Sequence, residues 1–124
     1  MLDDRNVLPL ADIDPFCFWT AEDNLTGWAA LLGKDAVSSV DVSPYAAPAR
    51  VVSVGGLPPL YVDVGGLDRF CSDCVAYASK FAATNIEVEL HVYAGLPHGF
   101  EVVAPDIALA VRAKRNRQRA LMGA

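Results

Sequence analysis

Two residues stand where an acid–base pair is readily built. Asp68 follows the apolar run Leu-Tyr-Val-Asp-Val and the turn Gly65-Gly66-Leu67. His98 sits in Gly-Leu-Pro-His-Gly-Phe, just after the run Val-Glu-Leu-His-Val-Tyr. A carboxylate beside an imidazole accepts its Nδ1 proton, fixes the tautomer and stabilises the imidazolium, so that Nε2 can take up and return a proton. Pro97 stiffens the entry to this turn, and Gly99 permits close backbone approach. The competing reading is an ordinary surface-turn histidine between Pro and Gly. Asp63 is a rival acid, but it lies inside the apolar run, five positions before Asp68.

Cysteines supply a second candidate. Cys71-Ser72-Asp73-Cys74 is a C-x-x-C at an expected helix start. A helix N-terminus lowers a thiol pKa, so a thiol-redox module is physically sensible. Against it, a thioredoxin-like fold needs a cis-proline loop leading into an apolar strand, and Pro97 is followed by His-Gly-Phe-Glu. A zinc site from Cys71, Cys74, His91 and His98 would have the spacing C-x2-C-x16-H-x6-H, which fits no common finger and puts His91 in mid-strand. The competing reading is two cysteines that pack a helix. Three cysteines in all do not suggest a disulfide framework.

The elements that must position these groups follow from periodicity. Residues 60–64 and 88–93 read as short buried strands, the second with Val88, Leu90 and Val92 on one side. Between them residues 72–83 read as a helix with Val75, Ala78, Ser79 and Ala82 inward. Strand, helix and strand at this spacing make a parallel, right-handed βαβ unit. Asp68 and His98 then lie just past the carboxyl ends of adjacent strands, where open α/β sheets place ligands. An earlier helix is expected over 21–32. Thr20 and Asp23 form its capping box, Leu25, Trp28, Ala29 and Leu32 its apolar stripe, and Gly33 its stop. Pro9, Asp12, Asp14 and Pro15 punctuate the irregular first twenty residues, with Phe16, Phe18 and Trp19 as apolar anchors. Trp19 and Trp28 are expected to anchor this segment against the sheet, with the lining of a substrate pocket as the competing reading, and Tyr61 and Tyr93 to be core. Residues 34–59 read as loop, and 105–121 as a last helix.

Composition bounds the function. The 124 residues are 53% hydrophobic and 20% charged, which excludes a disordered chain and fits one domain or a large piece of one. All 15 acids lie at or before Asp106, and five of the ten bases lie between Arg112 and Arg119. The body therefore carries −10 and the tail +5, a net −5 that disfavours a general nucleic-acid binder. The tail is either a patch for an anionic partner or the solvated end of a helix. No aromatics interleave with its bases. The uncharged stretch over 51–62 is twelve residues long and broken by glycines and prolines, so no membrane-spanning helix is expected. The opening Met-Leu-Asp-Asp-Arg is acidic where a signal peptide is basic, and a cytoplasmic location is the expectation.

Longer stretches carry a family resemblance. PFCFWTAEDNLTGWAALLG, VSPYAAPAR, GLPPLYVDVGGLDRF and VAYASKFAATNIEVELHVYAGLPHGF stand in order between an opening MLDDRN and a closing Ala-Arg helix. Together they resemble the C-terminal portion of an α/β-hydrolase of fold 3, the hormone-sensitive-lipase-like carboxylesterases. The resemblance covers nearly the whole chain. It implies an α/β-hydrolase fold, a carboxylic-ester substrate and no cofactor or metal, with Asp68 and His98 matching the family's catalytic Asp and His. The run Arg69-Phe70-Cys71-Ser72-Asp73-Cys74 departs from the family's usual polar stretch after that Asp.

The triad of this fold comes in the order Ser, Asp or Glu, His. None of the six serines stands in a G-x-S-x-G, and no HGGG-type loop is present. The expectation is therefore a back half of a single hydrolase domain, with MLDDRN matching an internal family position and the nucleophile elbow upstream. Such a chain is expected to be inactive alone. It would be either part of a split or truncated esterase or a non-catalytic remnant, with an open sheet edge prone to self-association.

Overall fold

Strand β1 (Leu60–Gly65) and strand β2 (Val88–Tyr93) run parallel in the computed structural model, in the register Leu60 to Val88 through Gly65 to Tyr93. The structure describes residues 1–7, 12 and 14–123; Pro9 and the side chain of Phe16 lie outside that description. Helix α2 (Cys71–Ala83) is the crossover between the strands. This is the expected βαβ unit of an α/β chain, with β1 one residue longer than the apolar run suggested. Among the described residues β1 pairs with β2 alone.

One sheet face meets α2. Val62 and Val64 pack with Phe70, Cys71 and Cys74, and Leu2 and Trp19 close the cluster from the N-terminal side. The buried positions of α2 are Cys74, Ala78 and Phe81. Val75, Ser79 and Ala82, expected to face inward, are exposed, and the Ser79 hydroxyl donates back to the Val75 carbonyl (2.8 Å). The helix is turned so that Phe81, the largest apolar side chain available, reaches the core. Cys74 is thus a core residue. Val92, expected inward with Val88 and Leu90, is also exposed.

The other face meets two helices where one was expected. A short helix α3 (Phe100–Val103) follows Gly99, which is left-handed at φ 67°. Helix α4 (Ala108–Met122) starts only after an extended Ile107. Pro105 lacks an amide proton and stands between them, which separates the two helices. Tyr93 packs with Phe100, Ala110 and Ala113 in a second cluster.

Helix α1 (Ala21–Leu32) has the expected capping box. The Thr20 hydroxyl accepts from the Asp23 amide (3.1 Å), and the Asp23 carboxylate accepts from the Thr20 amide (3.0 Å). Its buried face holds Asn24 and Trp28, while Leu25 is exposed. Asn24 goes inward because it has partners there: its amide donates to the Asn6 carbonyl, and its oxygen accepts from the Trp19 indole (3.3 Å). Trp28 packs with Val42 and Ala47, so residues 34–59 form a core layer as well as a connection. Within them a 3-10 turn, Pro48–Arg50, presents Arg50 to the fully buried Asp4, with Nε and Nη2 at 2.6 and 2.7 Å from its two oxygens. Phe18, expected as an anchor, is exposed. No helix among the described residues is long and apolar enough to cross a membrane.

Candidate acid–base site

The two loops that follow β1 and β2 are joined by backbone. The Gly66 amide donates to the Tyr93 carbonyl (2.8 Å), and the Leu67 amide to the Leu96 carbonyl (3.0 Å). This approach requires Gly65. A Cβ there would lie 2.9 Å from the Leu96 carbonyl carbon and 2.8 Å from the Pro97 carbonyl oxygen, inside van der Waals contact. The strand ends on glycine so that the second loop can cross directly over it.

That crossing brings Asp68 and His98 together. His98 Nδ1 lies 2.8 Å from Asp68 Oδ2, and Asp68 Oδ1 accepts the Phe70 amide (2.9 Å). Asp68 is buried, whereas the His98 side chain is 44% exposed. With Nδ1 facing the carboxylate, Nε2 is on the far side of the ring. The bond to Asp68 raises the His98 pKa above its ordinary value, against a smaller opposing effect of burial. The Phe70 ring meets the imidazole edge-on, centroids 5.5 Å apart, and restricts its rotation.

The departure at residues 69–74 does not weaken this loop. Arg69 is buried and reaches Asp14 (3.2 Å). Asn6 donates to the Arg69 carbonyl (3.0 Å) and to Asp73 (2.9 Å), which ties the N-terminal segment to the loop. Phe70 supplies both an amide for Asp68 and a wall for His98.

The other candidates are not brought into this pair. Burial, reinforced by the charge of Asp68, raises the thiol of Cys71 and pushes Cys74 up to about 11. A redox dithiol needs the opposite shift. His91 faces Glu89 (2.7 Å), and among the described residues no group of three or more His, Cys, Asp or Glu is placed to hold a metal. The rival acid Asp63 points to the α4 face, where Arg117 binds both its oxygens at 2.8–3.1 Å. Arg117 also donates to Glu101 (2.6 Å). Of the five tail bases, Arg117 is thus engaged, Arg119 pairs with Glu89, and Arg112 lies over the Tyr93 ring at 5.6 Å. The tail therefore acts largely within the chain.

Sequence reasoning missed Arg117, Glu101 and Phe70. The signal for the first was Asp63 itself: a carboxylate within a strand covered on both faces needs a cation from a packing helix.

A small cavity of about 110 Å³ opens beside the pair and is lined by Asp68, His98, Asp63, Glu101 and Arg117 among others. A larger groove, about 670 Å³, lies at the opposite end of the strands against Leu60, Glu87 and Arg119, and neither Asp68 nor His98 lines it.

A family model described as alpha/beta hydrolase fold matches residues 9–102. The chain belongs to the α/β-hydrolase fold-3 family. It is similar to esterase LipI of Mycobacterium tuberculosis, 34% identical over 67 residues, a match covering 54% of this chain and 21% of LipI. Among solved structures it is similar to a bacterial heroin esterase, with a TM-score of 0.84 and 30% identity over 94% of this chain and 37% of that one. It is also similar to esterase LipW of Mycobacterium marinum, with a TM-score of 0.76 and 25% identity over 98% of this chain and 37% of that one. The chain thus spans about a third of the solved structures it matches and about a fifth of LipI.

Proposed function

We propose that this chain supplies the acid–base half of a carboxylic-ester hydrolase, as the C-terminal portion of a single α/β-hydrolase domain. The observation that carries the reading is the 2.8 Å contact between His98 Nδ1 and buried Asp68 at the carboxyl ends of two parallel strands. His98 Nε2 would take the proton of a serine hydroxyl as that oxygen adds to the ester carbonyl. It would then return the proton to the departing alkoxide, and the cycle would repeat with water to release the acid. Asp68 would hold the Nδ1 proton throughout and stabilise the imidazolium. No cofactor enters this chemistry, and the substrate class is a small-molecule ester.

The serine and the oxyanion donors must come from outside these 124 residues, because no G-x-S-x-G or HGGG-type loop stands among them. The chain alone is therefore expected to leave a short-chain aryl ester unhydrolysed. Mixed with a separately expressed front portion of a fold-3 esterase carrying both motifs, it should turn the ester over, and His98→Ala in this chain should abolish that turnover. Turnover by the chain alone, lost in His98→Ala, would contradict the proposed division of labour. A complex that forms and stays inactive would favour the non-catalytic remnant instead.

A further inference from the structure

The Asp63–Arg117–Glu101 bridge has no part in the chemistry just described, yet it borders the same cavity as the acid–base pair. Asp63 comes from β1, Arg117 from the penultimate turn of α4, and Glu101 from α3, three residues after His98. The contacts are short and directional. Arg117 Nε and Nη2 grip Asp63, Nη1 reaches Glu101 at 2.6 Å, and the Tyr61 hydroxyl donates to Asp63 at 3.0 Å. The Asp63 side chain is 7% exposed and that of Glu101 19%.

The geometry around His98 gives the bridge a task. On its N-terminal side the His98 loop is fixed by Leu67 donating to Leu96. On its C-terminal side Gly99 is left-handed, a hinge that resists little, and α3 is only four residues long. Without an anchor beyond Gly99, the imidazole could pivot away from Asp68. Burial of Phe100 is one such anchor, and Arg117 holding Glu101 against the fixed strand residue Asp63 is the other.

We propose that Arg117 is a positioning residue for His98: through Glu101 it pins the helix that follows Gly99, and so keeps the imidazole within hydrogen-bond distance of Asp68. This rests on the reading of His98 as the base. The charged groups around His98 are Asp68 in the first loop, Glu101 on α3, Arg117 on α4, Asp63 on β1 and the amino group of Met1.

The test is proton NMR on the purified 124-residue chain, following the His98 ring through a pH titration and the low-field signal of its Nδ1 proton. The variants are Arg117→Met, which keeps the aliphatic stem, and Arg117→Lys, which keeps the charge on a single donor. Simple loss of a nearby cation would raise the His98 pKa. Loosening the bond to Asp68 has the opposite sign, so the proposal expects Arg117→Met to lower it by about one pH unit and to lose the Nδ1 signal. Arg117→Lys should fall between. Glu101→Gln leaves Arg117 on Asp63 and should also weaken the Nδ1 signal, which covers the case in which Arg117→Met fails to fold. A rise or no change in pKa for Arg117→Met, or a full Nδ1 signal in Glu101→Gln, overturns the positioning role and leaves the base assignment standing. A wild-type His98 that titrates at its ordinary value with no low-field proton overturns the base assignment and the proposal with it.

Discussion

The bond between His98 and Asp68 links the site to stability through pH. Its partner raises the histidine's pKa in the folded chain above the ordinary value of 6.5. Folding therefore gains from protonated His98, a gain fully present below about pH 6.5 and lost as the pH climbs through the folded value. Urea midpoints for the wild-type chain and His98→Gln should lie furthest apart near pH 5.5 and converge toward pH 9. A gap that widens on the alkaline side would mean that the ring is held as the neutral form. The same sign describes a base that stabilises its own conjugate acid, the state His98 would occupy while the tetrahedral adduct on a serine persists, before the proton passes to the departing alkoxide.

Gly65 shows how an element, not a residue type, sets the site. Gly65→Ala should destabilise the chain by about 2–3 kcal/mol and broaden the His98 resonance, because the obstacle is the Leu96 and Pro97 backbone and not a side chain that can swing aside. Equilibrium unfolding in urea measures the first effect and NMR the second; an unchanged midpoint would mean the loops can separate at no cost. Both strands, the crossover helix and the Thr20 cap were legible in the sequence because each rests on local rules: period-two or buried apolar runs, strand spacing, and a hydroxyl three residues before an acid. That Asp68 and His98 would lie at neighbouring strand ends was legible, but the pattern left His98 open to being an ordinary turn residue, and the family resemblance singled the pair out. Helix faces were harder. Periodicity offered Val75 and Leu25 as inward residues, but Asn24 won its place through Asn6 and Trp19, and Phe81 through sheer size. Trp19 lies five residues from Asn24, but Asn6 lies 18 away, outside a window of fifteen residues. The last helix, expected from Pro105, starts at Ala108, and the short α3 before it lies where no helix was expected.

At the scale of the molecule, the sheet of the described residues has two strands. Among the described residues β1 has a partner on one side only, beside a groove where Val62 and Tyr61 face Leu121, itself almost fully exposed. An open parallel edge with apolar neighbours recruits other strands. Sedimentation velocity on the purified chain should show association that grows with concentration, and a front portion of a fold-3 esterase should suppress it. A monomer with a sharp cooperative melt at every concentration would show that the edge is tolerated as it stands. The amide bridges from Gly66 and Leu67 to the far loop have a further consequence, which concerns how the pair is acquired. Asp68 and His98 are 30 residues apart, and bringing two such points together costs chain entropy. Here that cost is already met when β1 and β2 align, since the bridges prolong the strand ladder to the site. The acid–base pair is in this sense a product of sheet closure, encoded within residues 60–101. A recombination breakpoint outside that block would pass the pair on intact, whatever nucleophile it came to serve.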